Sequence, residues 1–288
     1  MDFVGKRKIC YVLSLIVIIA GIVSMFIQGL NLGIDFAGGT VIQASFNEEV
    51  EISDVREAIN GLNIGTNRIQ ELDDGSFQIK TLYMDQDAQD EFVGQLDEAL
   101  GGCTLLRSEA VGASVGSELL KSGLIALFVA IVLMIGYITW RFEWRFALTG
   151  IVALFHDVLV TLAVFSIFQL EVESYFVAAI LTIFGYSINN TIVIFDRIRE
   201  NVVRVKKDAL AGVVNQSIKQ SLTRTINTSV TTLILLFALV LFGGQTTRIF
   251  VLAMIIGIVA GTYSSIFVAP SLWHDLRMKS KKKVVEIR

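Results

Sequence analysis

Residues 174–195 read SYFVAAILTIFGYSINNTIVIF and contain no Asp, Glu, Lys or Arg. This run is longer than the roughly 20 residues that a helix needs to cross a bilayer. Four further uncharged runs have a similar length and lie at 9–34, 122–140, 225–247 and 249–273. A sixth stretch, 146–170, is equally apolar but carries His156 and Asp157. The sequence therefore predicts a polytopic α-helical membrane protein with six transmembrane helices.

Composition indicates the same class of protein. Of the 288 residues, 53% are hydrophobic and 18% are charged, and the mean hydropathy is +0.65. Soluble domains carry about 25% charged residues. These values exclude a disordered chain and a coiled coil, and the two cysteines, Cys10 and Cys103, form no disulfide framework. The net charge of −3 gives no support for nucleic-acid binding, so no nucleic-acid partner is expected.

The first apolar run follows Lys6, Arg7 and Lys8, which is how a signal peptide begins. Its apolar part, 9–34, is longer than the roughly 7–15 residues of a signal-peptide core, and no A-x-A site follows it. We therefore expect an uncleaved first helix. If the N-terminus is cytoplasmic, 18 of the 24 Lys and Arg residues lie on the inner side of the membrane. The positive-inside rule then places both termini in the cytoplasm.

A polar segment between the first and second runs, 30–116, has periodicities of its own. Residues 40–46 alternate as in a strand, and residues 85–100 place apolar side chains at helical spacing. Asp73-Asp74-Gly75, between two further strand-like stretches, is typical of a hairpin turn. The element order β-α-β-β-α-β predicts a small extracytoplasmic α+β domain of the ferredoxin-like kind. An unstructured loop is the alternative, and it does not account for these periodicities.

The expected organisation follows from these segments. Residues 1–29 form the cytoplasmic N-terminus and first helix, 30–116 the extracytoplasmic domain, 117–276 helices two to six, and 277–288 a basic cytoplasmic tail. Within the helical part, apolar residues recur every four positions at Leu210, Val214, Ile218 and Leu222. This pattern predicts an amphipathic cytoplasmic helix at about residues 205–222, lying along the membrane surface.

The last apolar run carries a stripe of small residues. They fall four positions apart, at Ala253, Gly257, Gly261 and Ser265. Small residues at this spacing allow two helix backbones to approach closely within a membrane. We interpret the stripe as a helix contact and not as a ligand site.

Polar side chains also interrupt the apolar runs, and such groups are costly within a bilayer. His156 and Asp157 lie in the third run, Asn190 lies in the fourth, and Arg224 opens the fifth on the same side as Asn190. Each set is compatible with a satisfied hydrogen-bond network at a helix contact or with part of an ion path. We treat all four residues as candidates for a proton or ion pathway.

Several common catalytic motifs are missing from the sequence. It has no nucleotide-binding loop, no C-x-x-C pair and no H-E-x-x-H motif, so neither ATP-driven work nor zinc chemistry is supported. An intramembrane enzyme would need a nucleophile or paired aspartates, and only Asp157 lies centrally in a span. We predict no catalytic residue, no metal site and no cofactor, and hence a protein that is not an enzyme.

Five motifs together resemble the SecD/SecF family of protein-export membrane proteins, part of the resistance-nodulation-division superfamily. LNLGIDFAGGT (30–40) is similar to the D-F-x-G-G element of that family, and VGASVGSELL (111–120) to its V-G-x-x-x-G element. The others are WRFEWRFALTGIVALFHD (140–157), GYSINNTIVIFDRIREN (185–201) and SLTRTINTSVTTL (221–233). The residues singled out as matching family motifs are Asp35, Phe36, Gly38, Gly39, Gly185, Ser187, Asp196 and Arg197.

This resemblance implies a SecF-like subunit of the Sec preprotein translocation machinery, located in the cytoplasmic (inner) membrane. Such a subunit uses the proton-motive force, together with a SecD-like subunit, to promote late steps of protein export. The implied partners are a SecD-like subunit, a SecY-type translocon channel and unfolded preprotein. The alternative is a stand-alone proton-coupled small-molecule exporter subunit of the same superfamily, which would need a duplicated chain or a homodimer.

One position departs from the family pattern. The motif usually has Asp, the expected proton carrier, where this chain has Asn190, and Arg224 matches its basic neighbour. An amide does not titrate. Three explanations stay open: a natural or engineered loss of proton conduction, reliance on a carboxylate of the partner subunit, or relocation of the proton site to Asp157.

Overall fold

The structure is a computed structural model that describes residues 2–47, 50–62, 66–72, 74–202, 205–279 and 284–285. Asp73 of the expected hairpin turn and most of the expected tail 277–288 lie outside these residues. The chain divides into two compact units. One comprises Met1–Asn31 and Ile125–Arg288, and the other comprises Leu32–Leu124.

Helices account for most of the chain. Their bounds are α1 Arg7–Gln28, α2 Ile34–Ala37, α3 Ile52–Gly61, α4 Gln86–Leu100, α5 Ala113–Arg141, α6 Trp144–Ile167, α7 Ser174–Asn201, α8 Lys207–Phe242, α9 Gln245–Tyr263 and α10 Ala269–Met278. A π-helical turn, Ser264–Val268, joins α9 to α10. The strands are β1 Asn31–Leu32, β2 Gly39–Phe46, β3 Thr66–Glu71, β4 Phe77–Thr81, β5 Cys103–Val111, β6 Glu171–Val172, β7 Val205–Lys206 and β8 Val284–Val285.

The prediction of six membrane-spanning helices is confirmed. Within the described residues, six helices are long and apolar enough to cross a membrane. Five of them are α1, α5, α6, α7 and α8, and the sixth runs from Thr247 to Met278 through the π-helical turn. Half or nearly half of the apolar window is buried in α6, α7 and the sixth span, whereas none of it is buried in α5. Within the apolar windows, the buried residues of the helical unit therefore lie mainly on α6, α7 and the last span.

The small-residue stripe of α9 packs against α7. A side chain at Gly257 would overlap the Ile183 side chain, and one at Gly261 would come within 2.9 Å of Ser187 Cβ. One turn further on, Ser265 lies 2.8 Å from Thr191 through their hydroxyl groups. The stripe is thus a helix contact, as expected, and its partner is the fourth span. The fifth span meets the last one elsewhere, for example between Ser229 and Thr262 at 2.7 Å.

The amphipathic segment expected at about 205–222 does not form a separate surface helix. It is the first part of α8, which continues without a break into the fifth span. Leu210, Val214 and Ile218 are fully buried in the core of the helical unit, together with Trp273 and Phe146. The periodicity was therefore correct, but the apolar stripe faces protein, because the packed ends of neighbouring helices cover it.

The segment ahead of α1 also packs on this part of α8. The backbone N–H groups of Phe3 and Val4 both donate to Asn215 Oδ1 at 2.9 Å. The amide nitrogen of Asn215 donates in turn to Asp2 Oδ1 at 2.8 Å. Phe3 and Val4 are buried in the same core as the stripe of α8. A single asparagine side chain thus holds the start of the described chain.

The second unit contains a four-stranded antiparallel sheet. Along residues 39–111 the elements follow as strand, helix, strand, strand, helix and strand, and the order across the sheet is β3-β4-β2-β5. In β2, Ile42 pairs with Ile79 of β4 and with Ser108 of β5. The apolar core contains residues of β2, β4, α3 and α4, namely Ile42, Ala44, Val55, Ile59, Phe77, Ile79, Phe92 and Leu96.

Two glycine motifs of the sequence meet within this unit. Gly38 and Gly39 both have positive φ, at 75° and 139°, where a side chain is strained. A side chain at Gly39 would meet the Thr81 carbonyl oxygen at 2.8 Å, and one at Gly116 would meet the Phe36 carbonyl oxygen at 3.0 Å. The stretch around residues 35–39 therefore lies against the start of α5, and the glycines allow this close approach.

The contact between α7 and α9 makes a first testable prediction. Gly257→Leu should lower stability by about 1–3 kcal/mol, because the added atoms overpack the contact with Ile183. Tryptophan fluorescence in detergent should show a fall in Tm of about 2–4 °C for each kcal/mol lost. Gly136→Leu is the control, because Gly136 of α5 has open space at this position. An equal fall in both variants would contradict the assigned contact.

Candidate functional site

Asp157 lies near the middle of α6, and its side chain is completely buried. Both of its carboxylate oxygens have partners. Oδ1 lies 2.9 Å from Nδ1 of His156, while Oδ2 accepts hydrogen bonds from Ser187 Oγ at 2.5 Å and Ser264 Oγ at 2.9 Å. A buried charge is tolerated only when it is paired and hydrogen-bonded. Asp157 thus joins α6 to α7 and to the π-helical turn of the last span.

His156 directs the other side of this cluster toward α1. Its Nε2 lies 2.9 Å from Ser14 Oγ, and its ring stacks on that of Tyr263 with centroids 6.0 Å apart. The Tyr263 hydroxyl donates to the Cys10 carbonyl at 2.9 Å. Adjacent residues on a helix point about 100° apart. His156 therefore contacts α1, while Asp157 contacts α7.

The π-helical turn supplies two of the hydroxyl groups around the site. Pro270 has no amide hydrogen for the carbonyl of Ile266, so the regular α-helical ladder cannot continue through this point. The wider turn presents Ser264 to Asp157 and Ser265 to Thr191. Single π-helical turns within α-helices are frequent at functional sites.

Asn190 is buried on the same face of α7 as Ser187 and Thr191. Its amide nitrogen has no hydrogen-bond partner among the described residues. Ser187 and Asn190 are three residues apart, so they differ in depth by about 4.5 Å along the helix. Asn190 and the Asp157 cluster therefore occupy neighbouring levels of the helical unit.

Arg224 does not join this cluster. Its side chain is exposed on α8, and the described residues offer it neither a hydrogen bond nor an ion pair. The structure therefore does not bring Arg224 to Asn190 within this chain. The physical reason is that Asn190 faces the packed interior of the helical unit, whereas Arg224 lies on an uncovered face.

The other motif residues of α7 lie at its surface. Gly185 is exposed, and a side chain there would meet open space. Asp196 lies 3.4 Å from Arg141, and Arg197 pairs with Glu200 at 2.7 Å. All these ion-pair partners are more than 40% exposed, so the pairs contribute about 0–1 kcal/mol each.

Asp35, Phe36, Gly38 and Gly39 belong to the sheet-containing unit, and they are not part of the Asp157 cluster. Phe36 is buried in the short helix α2, and the two glycines make the close approaches described above. Their geometry indicates a structural role within that unit. Among the described residues, no group of His, Cys, Asp and Glu side chains is arranged to hold a metal ion.

Sequence reasoning did not identify Ser14, Tyr263 or Ser264 as parts of the cluster. A serine in an apolar helix is common, because its hydroxyl can bond to the backbone of its own helix. The Ser264-Ser265 pair two turns before Pro270 was the available signal, since proline marks the place where a helix ladder is interrupted. Ser14 and Tyr263 had no comparable signal.

Comparison with known protein families identifies two matches. The family described as "Protein export membrane protein SecD/SecF, C-terminal" matches residues 95–279, which is more than half of the chain. The family described as "SecD/SecF GG Motif" matches residues 23–50, including Gly38 and Gly39. These matches cover most of the helical unit and about half of the sheet-containing unit.

Full-length relatives carry one name. The protein translocase subunit SecF of Sebaldella termitidis is 41% identical over 287 residues, covering 98% of this chain and 93% of its own length. The protein translocase subunit SecF of Acidaminococcus fermentans is 43% identical, covering 98% of this chain and 99% of its own length.

Solved structures agree with these matches. The crystal structure of SecDF from Thermus thermophilus, described as a translocon-associated membrane protein, superposes with a TM-score of 0.84 at 34% identity and covers 94% of this chain. A SecDF structure in a super-membrane-facing form gives a TM-score of 0.69 at 33% identity, covering 96%. This chain spans only 38% of the length of each SecDF chain. It belongs to the SecD/SecF family of protein-export membrane proteins.

Proposed function

We propose that this chain is a SecF-like subunit of the Sec preprotein translocation machinery. It works with a SecD-like subunit and uses the proton-motive force to promote late steps of export. The observation that carries this proposal is the match, over nearly their whole length, to proteins named protein translocase subunit SecF. In this role the chain moves a polypeptide by changing conformation and is not an enzyme. A SecY-type channel and unfolded preprotein are its further proposed partners.

A SecD-like partner is supported by the uncovered faces of the helical unit. Asn189 on α7, and Arg224 and Asn227 on α8, are exposed polar side chains within membrane-spanning helices. Facing lipid, such groups are costly, and in membrane proteins they face a neighbouring helix or a water-filled cavity. This chain does not match 62% of the length of the SecDF chain, and that part is long enough to contain a SecD-like half. We propose that a SecD-like subunit covers these faces.

We further propose that both termini lie in the cytoplasm and that the protein resides in the cytoplasmic membrane. The excess of Lys and Arg on one side supports this orientation. The segment 30–116 then lies outside, as a ferredoxin-like domain whose helices pack on one antiparallel sheet. The strand order β3-β4-β2-β5 supports that class of domain. Residues 1–29, 117–276 and 277–288 form the remaining parts as expected above.

Proton coupling is proposed to involve His156, Asp157, Asn190 and Arg224. One charge that crosses 100 mV releases about 2.3 kcal/mol, which suffices to bias a two-state conformational equilibrium. Asn190 does not titrate. We propose that Asn190 retains the shape of the family site, and that Arg224 meets a carboxylate, carbonyl or water at the face of the SecD-like subunit.

The function is tested by depleting the chain from its native cells. Preproteins should accumulate several-fold inside the cell, because late export loses its driving force. Pulse-labelling of a secreted protein measures this accumulation. Expression of the intact chain from a plasmid is the control and should restore export. Normal export combined with hypersensitivity to drugs would overturn the proposal in favour of a small-molecule exporter.

The orientation is tested with single cysteines in a variant that lacks Cys10 and Cys103. Burial raises the pKa of the Cys103 thiol, but its removal is still needed for a clean background. Gly75→Cys and Lys279→Cys are both exposed positions. A membrane-impermeant maleimide added to intact cells should label the first and not the second. Equal labelling of the two would contradict the proposed topology.

The interface is tested at Gly185, which is exposed next to Asn189 on α7. Gly185→Trp should reduce the amount of SecD-like subunit that copurifies in mild detergent by about tenfold, which corresponds to roughly 1.4 kcal/mol. The Tm of the isolated chain should not change, because open space surrounds this position. Gly212→Trp, also exposed and in open space, is the matched control. Unchanged copurification in Gly185→Trp would argue against this face.

A further inference from the structure

We infer that Asp157 and His156 form the proton-binding pair of this chain, in place of the carboxylate that Asn190 lacks, and that Ser264 at the π-helical turn changes its hydrogen bond when the pair is loaded. The inference rests on the proposed function, because it specifies which of the four candidate residues carries the proton. It is drawn from the contacts around Asp157 and from the amide at Asn190, which does not titrate.

The position of Asp157 within the helical unit favours a role as the proton carrier. Among the described residues of the six spans, Asp157 is the only carboxylate that is completely buried and lies centrally in a helix. It lies about 4.5 Å in depth from Asn190, as judged by the spacing of Ser187 and Asn190 on α7. Asn190 on α7 does not titrate, but Asp157 does, and it contacts α7 through Ser187, about one helical turn from Asn190.

The hydrogen bonds of His156 to Ser14 and Asp157 can relay one proton. His156 Nδ1 lies 2.9 Å from Asp157 Oδ1, and Nε2 lies 2.9 Å from Ser14 Oγ. To the unloaded state we assign the tautomer in which Nδ1–H donates to Asp157 and Nε2 accepts from the Ser14 hydroxyl. The Ser14 hydroxyl gives its proton to Nε2, where a new N–H bond forms, and takes a replacement proton from a hydronium ion, which leaves a water molecule. The Nδ1–H bond then breaks, and its proton forms an O–H bond at Oδ1 of Asp157. The loaded pair is neutral, and the unloaded pair carries one negative charge.

Among the residues that the structure describes, no Lys or Arg pairs with Asp157 or His156. From α1, the facing group is the Ser14 hydroxyl, and from α9 the facing titratable group is Tyr263, which stacks on His156 and donates to the Cys10 carbonyl. From α7 and the π-helical turn, the facing groups are the Ser187 and Ser264 hydroxyls. No Lys or Arg among the described residues contacts Asp157. Within the described part of the chain, the unloaded charge is therefore stabilised by hydroxyl and imidazole donors, and a proton can neutralise it.

The Ser264 hydroxyl has two possible hydrogen-bond acceptors. Its hydroxyl lies 2.9 Å from Asp157 Oδ2 and 3.2 Å from the Gly261 carbonyl oxygen. A hydrogen bond to a charged carboxylate is roughly twice as strong as one to a neutral acceptor. Protonation of Asp157 removes the charge that strengthens this hydrogen bond. The Ser264 hydroxyl then turns to the Gly261 carbonyl oxygen. Protonation of Asp157 on α6 thereby alters the hydrogen bond of Ser264, which lies in the π-helical turn that connects α9 to α10.

Infrared difference spectroscopy tests this inference without any export assay. The full chain, with the subunit that copurifies with it, is placed in lipid nanodiscs and titrated from acid to alkaline pH. We expect a carboxylic-acid band that grows as the pH falls, at the high frequency typical of an acid shielded from water. Absence of such a titrating band in the native protein overturns the inference.

Variants assign the band. Asp157→Asn should abolish it, and Asp196→Asn, which removes an exposed carboxylate, should leave it unchanged. His156→Gln should shift the midpoint by at least one pH unit, a tenfold change in proton affinity. Ser264→Ala should shift the frequency of the band. Persistence of the band in Asp157→Asn, or its loss in Asp196→Asn, would refute the assignment.

Failure of this inference can be distinguished from failure of the proposed function. If depletion of the chain blocks export but the Asp157 band is missing, the chain is an export subunit whose proton site lies elsewhere. If the band is present but export is normal after depletion, the proton site stands and the export role fails. Asn190→Asp should add a second titrating band to that of Asp157.

Discussion

A carboxylate at the centre of a membrane-spanning helix needs partners, and the packing of the helical unit supplies them to Asp157. Two hydroxyl groups and an imidazole reach it from α6, α7 and the π-helical turn. These partners can approach only because Gly261 has no side chain; one there would lie 2.9 Å from Ser187 Cβ and 3.4 Å from Asp157 Oδ2. The small-residue stripe and the polar cluster are thus one feature. Close packing of α9 on α7 makes room for the buried charge.

The six spans could be predicted from the sequence because their physical signal is simple. A run of about 20 uncharged residues is long enough to satisfy all its backbone hydrogen bonds within the bilayer. The order of strands and helices in 39–111 was also accessible, since alternation and helical spacing are local. The helix contact made by Gly257 and Gly261 followed from their spacing, but its partner helix did not, because spacing within one helix carries no information about its neighbour.

Two features of the site lay beyond sequence reasoning. The first is the separation of Arg224 from Asn190, which depends on how α8 is rotated about its axis. Polar and apolar residues are mixed around α8, so its sequence does not indicate which side faces α7. The second is the part played by Ser264, which depends on the wide turn ahead of Pro270. The stripe of Leu210, Val214 and Ile218 was read correctly as one apolar face. Its burial in protein could not be foreseen, because a membrane surface and a protein core select the same residues.

The bond between the segment ahead of α1 and α8 has a consequence for biosynthesis. Phe3 and Asn215 are 212 positions apart, so the acceptor for the Phe3 N–H is translated long after α1 has left the ribosome. The same holds for Arg7, whose ion pair with Asp275 at 2.9 Å joins residues that are 268 positions apart. The first helix must therefore enter the bilayer without its final contacts. Its own apolar length keeps it there until the later helices arrive to lock its end in place.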